Sequence, residues 1–135
     1  MQAAFAETLK VFGRVDACFA NAGVGGGGRR SFVERTEDEW RRMFSINLDG
    51  VFHVFQAAAK HMQERAGSGD AYGRLVATSS LASLFGVARN EHYAATKAAL
   101  NSLIRALAVE LARYGITANA ILPGWIKSGG QSLRQ

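Results

Sequence analysis

Tyr93 and Lys97 stand four residues apart in "HYAATKAALNSL", residues 92–103. If that run is helical, a phenol and an ammonium share one face, one turn apart. Such a pair can move protons. A phenol titrates near pKa 10 in water, so ionising one at pH 7 costs roughly 4 kcal/mol. A cation ~6 Å away, at an effective dielectric of about 20, offsets roughly 2.8 kcal/mol of that. On a face open to water the effect fades to almost nothing. Proton chemistry at this pair therefore needs an enclosed site.

Other polar residues fall where a site could form. Asn47 sits on an apolar stripe, one turn from Met43 and Val51. A buried amide must be hydrogen-bonded or it costs roughly 1–3 kcal/mol. Asp49 and Gly50 in "NLDG" are poor helix formers, so a local kink is expected there. Ser79 and Ser80 end one apolar run, Asn21, Ala22 and Gly23 follow another, and Pro123 and Gly124 follow a third. In open α/β sheets, ligands bind beyond the C-terminal ends of the strands.

Competing chemistries fit poorly. There is no G-x-S-x-G elbow. His53, His61 and His92 have no metal-ligand spacing among themselves or with Cys18, so no metal site is expected. His92 adjoins Tyr93, but neighbouring helix residues point about 100° apart; it reads as a helix-start residue. The run "GVGGGG" (23–28) matches G-x-G-x-x-G by pattern, yet the next helix start is Thr36 and Asp49 lies inside a helix, so it reads as a plain glycine loop. The net charge of +5 comes from scattered residues, with Arg29-Arg30 and Arg41-Arg42 the basic doublets. No basic helix is interleaved with aromatics, which argues against nucleic acid. No apolar run reaches the ~18 residues of a membrane span. A single cysteine, Cys18, in the apolar run "VDACFA" points to a reducing, cytoplasmic setting.

The elements that must position these residues follow from hydrophobic spacing. Residues 2–12 read as a helix stopped by Gly13. Residues 15–20 read as a buried strand. Thr36 and Glu39 have capping-box spacing and open a helix over 36–64 with the stripe Trp40, Phe44, Leu48, Val51, Phe55, Ala59, Met62. Residues 74–80 form a second strand, 91–113 a helix closed by Gly115, and 116–122 a third strand ended by Pro123-Gly124. Short apolar strands alternating with long helices imply a parallel sheet with right-handed crossovers, an α/β layered fold.

With those residues in place, the chain resembles the short-chain dehydrogenase/reductase family. "YAATK" (93–97) is similar to its Y-x-x-x-K motif, and Ser80 lies thirteen residues before Tyr93, the spacing of the family's catalytic serine. "ANAG" (20–23) resembles its N-N-A-G turn with Ala20 in the first position. "INLDG" (46–50) resembles the stretch that carries its helix asparagine, and "PGWIKS" (123–128) its P-G-x-I-x-T segment. The resemblance implies part of a Rossmann-type doubly wound parallel sheet, about three strands with alternating helices. It implies reversible hydride transfer between NAD or NADP and a small carbonyl or alcohol substrate. In it Tyr93 is the general acid/base. Lys97 favours the ionised phenol and binds the nicotinamide ribose. Ser80 holds the substrate oxygen, and Asn47 holds a water linked to Lys97. Asn21, Ala22 and Gly23 line the adenosine side of the cofactor; Pro123, Gly124, Ile126 and Ser128 fix the nicotinamide.

Nothing in the chain corresponds to the family's glycine-rich phosphate loop on its first strand. Residues 1–128 are accordingly expected to be the central, catalytic part of such a domain, with 129–135 a polar tail and little activity alone. The resemblance also implies a homo-oligomer built through helices 36–64 and 91–113. A non-catalytic chain docking onto a longer relative through those helices is the alternative. Bare strand edges at 15–20 and 116–122 are expected to favour self-association.

Overall fold

The computed structural model describes residues 2–25 and 30–126. Helix α1 (Gln2–Phe12) leads to strand β1 (Ala17–Ala20). Helix α2 (Glu37–Phe44) runs through a π turn (Ser45–Asp49) into α3 (Gly50–Gly67). Strand β2 (Gly73–Thr78), helix α4 (Glu91–Leu111) and strand β3 (Ile116–Ile121) complete the order, with 3₁₀ turns at Phe32–Glu34, Leu81–Ser83 and Ala112–Tyr114. The strands are parallel in the order β1-β2-β3, with Ala20 opposite Ala77 and Thr78 opposite Ile121. The expected α/β architecture is therefore present, with β1 and β3 as the edges.

Helices α3 and α4 supply the core that holds this sheet. Phe55 and Met62 of α3 and Leu100 and Leu111 of α4 are buried against Leu75, Ala77 and Ile116 of the strands. On the opposite face of the sheet Phe19 and Ile121 are 68% and 52% exposed. At the lower end of the sheet Arg65 ion-pairs with Asp16 at 3.0 Å and Asp70 at 2.6 Å, fixing the start of β1 to the end of α3.

Local signals account for the boundaries. Thr36 and Glu39 make the capping box reciprocally, at 3.1 and 3.2 Å. Gly13 and Gly115 both take left-handed φ, +74° and +68°, as helix-ending glycines do. The first strand starts later than the sequence suggests, at Ala17 rather than Val15; the Val15 N–H is directed to His61 Nε2 at 3.2 Å.

The long helix departs from its expected stripe. Met43, Asn47, Val51 and Phe55 are buried at strict four-residue intervals, and Trp40 is 38% exposed, stacked on Phe44 with ring centroids 4.7 Å apart. A regular α-helix has 3.6 residues per turn, so a four-residue spacing drifts off one face. The π turn absorbs the extra residue, with the Gly50 N–H reaching back to Ser45 O. It keeps Asn47 inward at the cost of turning Trp40 outward.

Candidate functional site

Parallel strands put all three C-terminal ends on one edge, and the loops leaving them converge. The Ser79 N–H donates to Ile121 O at 2.8 Å and the Leu81 N–H to Pro123 O at 3.1 Å. These bonds bring Ser80 beside Pro123-Gly124. Helix α4 passes alongside and adds Tyr93. Ser80, Tyr93, Pro123 and Gly124 thus line one cleft of about 610 Å³, together with Gly25, Asn90 and an apolar wall of Leu81, Ala82, Phe85, Val87 and Trp125.

The tyrosine and lysine do share a face of α4. Lys97 Nζ lies 5.6 Å from the Tyr93 ring centroid. Of the pair, the lysine is enclosed, at 5% exposed, while Tyr93 is half-buried at the cleft. Burial pushes its pKa below the ordinary lysine value. Its ammonium donates to Thr78 O, the last carbonyl of β2, at 2.7 Å. Ser79, the neighbour of Ser80, is buried and donates to Lys97 O at 3.1 Å. Side chain and main chain of Lys97 are therefore both moored to the end of one strand. The Ser80 hydroxyl accepts from the Ala82 N–H at 3.1 Å and keeps its proton to donate.

Asn47 satisfies its amide within the protein. Oδ1 accepts from Val24 N–H at 2.8 Å; Nδ2 donates to Val24 O at 3.0 Å and lies 3.0 Å from Met43 Sδ and 3.3 Å from Thr96 Oγ1. Thr96 in turn donates to Tyr93 O at 2.8 Å. Asn47 thereby ties the loop after β1 to the helix carrying the tyrosine. Gly23 passes so close that a Cβ there meets Asn47 Oδ1 at 3.2 Å and Lys97 Nζ at 3.6 Å.

The remaining expected residues divide. Asn21 Oδ1 accepts from Thr78 Oγ1 at 2.8 Å at the strand ends, with Ala22 exposed next to it. Ile126 is exposed and does not line the cleft. Ser128 lies outside the described residues, as does the 26–28 part of the glycine run. Sequence reasoning missed Thr96 and Asn90, and named Ser79 as a strand-end residue without its bond to Lys97 O. Ser79 carried a weak signal, since alternation along a strand makes one of two adjacent serines point inward.

A glycine cradle against a buried ammonium suits a nicotinamide cofactor. The ammonium has three N–H groups, and Thr78 O is its one acceptor among the described residues. Two of its donors have no acceptor among the described residues.

A three-stranded parallel sheet with its polar groups at the C-terminal edge defines a Rossmann-type α/β protein. The model of the family described as enoyl-(acyl carrier protein) reductase matches residues 1–133. L-rhamnose 1-dehydrogenase (NAD(P)(+)) of Sphingomonas sp. strain SKA58 is 38% identical over 121 residues, covering 90% of this chain and 45% of that protein. A structure of NAD+-bound xylitol dehydrogenase superposes with a TM-score of 0.85 at 32% identity, covering 94% of this chain and 46% of the other. A structure of ElxO with NADP bound gives 0.84 at 32% identity, covering 93% and 48%. The chain belongs to the short-chain dehydrogenase/reductase family. It spans a little under half the length of these relatives.

Proposed function

We propose that this chain carries the proton-transfer part of an NAD(P)-dependent dehydrogenase/reductase acting on a small carbonyl or alcohol. The carrying observation is that Tyr93 and Ser80 line one cleft while the Lys97 ammonium is buried 5.6 Å from the tyrosine ring. In this reading Ser80 donates a hydrogen bond to the substrate oxygen. Tyr93 gives its hydroxyl proton to that oxygen in reduction and takes it back in oxidation. Lys97 holds the ribose hydroxyls with the donors Thr78 does not use, and its positive charge favours the phenolate. Asn47 holds Val24 and Gly23 against Lys97. Asn21, Ala22 and Gly23 face the adenosine side, and Pro123 and Gly124, which line the cleft, flank the nicotinamide. A nicotinamide cofactor, NAD or NADP, supplies or accepts the hydride when bound.

The test uses a protein of the relatives' length that contains this sequence. Tyr93→Phe keeps the ring and removes the titrating hydroxyl, so turnover is expected to fall by about 10²–10⁴-fold with cofactor still bound. Steady-state rates within a few-fold of the parent sink the assignment.

Association of chains through α3 and α4 is a second reading. It is supported by Phe52 and Val109, both exposed, and by a groove of about 310 Å³ between the two helices lined by Phe52, Leu103 and Leu107. A cytoplasmic setting agrees with the single, half-buried Cys18. No helix among the described residues is long and apolar enough to cross a membrane.

A further inference from the structure

Arg35 is a cation buried in a loop. It precedes the capping residue Thr36, yet its side chain is 5% exposed. Nη2 donates to Arg30 O at 3.2 Å and to Arg89 O at 3.1 Å. Nη1 lies 3.2 Å from His92 Nε2. The carboxylates of Glu39 and Glu91 stand at 3.9 and 3.8 Å. Exposed arginines rarely hold one geometry; this one binds a loop, a second loop and two helices at once.

Its partners cluster at the start of α4. Arg89 is the non-glycine residue with left-handed φ among the described residues, at 61°, and its N–H is held by Glu91 Oε1 at 2.9 Å. His92 is 4% exposed and directly precedes Tyr93. A guanidinium only donates, so the Nε2 it faces must be the unprotonated acceptor and His92 must be neutral. Burial and then the Arg35 charge push the His92 pKa below its ordinary value, against a weaker pull from Glu91 and Glu39.

We propose that Arg35 is a positioning residue for Tyr93, clamping the first turn of α4 through Arg89 O, His92 Nε2 and Glu91 so that the phenol is held in the cleft. The role of the phenol rests on the function proposed above; the clamp does not. The clamp is also sensitive to acid. A proton on His92 turns its acceptor into a donor aimed at a cation. The charges facing the ring are Arg35 from the loop before α2, Glu39 from α2 and Glu91 from α4 itself; Arg30 is paired with Glu39 at 3.6 Å.

The test reads the chain itself, without cofactor, substrate or turnover. Amide hydrogen exchange is measured at Ala94–Thr96, with Leu75 and Ala118 as core references, in the parent, Arg35→Met, Arg35→Lys and His92→Gln. The Tyr93 ring NMR signal, assigned by its loss in Tyr93→Phe, is followed between about pH 5 and 8. Arg35→Met is expected to speed exchange at Ala94–Thr96 by about tenfold while the core references hold. Arg35→Lys should restore little, because a point charge cannot span the same acceptors. His92→Gln keeps an uncharged acceptor, so it should keep protection while the Tyr93 signal loses its pH dependence. Unchanged exchange in Arg35→Met overturns the proposal, as does an equal rise at Leu75 and Ala118. If Arg35→Met does not fold, the His92→Gln titration decides: a Tyr93 signal that still titrates like the parent's overturns it. Failure of the Tyr93→Phe turnover test leaves these readouts unaffected, so the two ideas fail separately.

Discussion

The Lys97 ammonium lies 5.6 Å from the centroid of the Tyr93 ring, while its hydrogen bond is made at 2.7 Å to the carbonyl of Thr78. The strand end, through Thr78 O, holds the ammonium and sets where its charge sits. Its position is thus decided by β2 as much as by the helix spacing.

A buried lysine leaves a pH signature on stability. Burial lowers the folded-state pKa of Lys97, while the unfolded chain titrates near about 10.4. Between those values the unfolded state binds the extra proton, so stability rises with pH across that window. Below it the desolvation penalty is constant; above it both states are neutral. Urea midpoints of the parent relative to Lys97→Met should therefore move in the parent's favour between about pH 7 and pH 10. A difference that does not change with pH counts against the burial.

Asn47→Leu tests the link between the π turn and the loop after β1. Leucine fills a similar volume and strips Val24 of both partners. A loss of about 1–3 kcal/mol is expected by chemical denaturation. In a protein of the relatives' length, cofactor affinity should fall as well, since Gly23 is no longer held against Lys97. Parent-like stability means that Val24 does not make these bonds in solution.

Two glycines with the same backbone conformation should respond unequally. A Cβ at Gly13 meets nothing within 4 Å, whereas one at Gly115 lies 2.2 Å from Ala71 O. Gly13→Ala is expected to cost about 1–2 kcal/mol, the left-handed penalty alone. Gly115→Ala adds a backbone collision and should cost distinctly more, visible as the lower melting temperature of the two. Equal losses contradict the tight packing of the Ala112–Tyr114 turn on the strand entry.

Much of this was legible in the sequence because it rests on short-range periodicity. Tyr93 and Lys97 share a face since helices repeat every 3.6 residues, and the three strand ends converge since parallel strands end on one edge. What was hidden depends on contacts far apart in the chain. Trp40 counts as core on any regular helical wheel; only the π turn downstream turns it out. His92 reads as an ordinary helix start because Arg35, fifty-seven residues earlier, is what buries it. Ser79 looks interchangeable with Ser80 until α4 is placed, when one holds Lys97 O and the other faces the cleft.

The π turn also decides where the helix from Glu37 to Gly67 tolerates a change in length. Losing one residue inside the turn removes the residue it absorbs: the segment becomes a regular α-helix, and Met43 and Val51, then seven residues or about 700° apart, keep one face. Losing one residue within Glu37–Arg42 has no such slack, and everything on its N-terminal side swings by about 100°. The capped end at Thr36 then turns away and Arg35 is carried off its partners on the far loop, so a single codon lost there is felt not where it falls but at the tyrosine on α4.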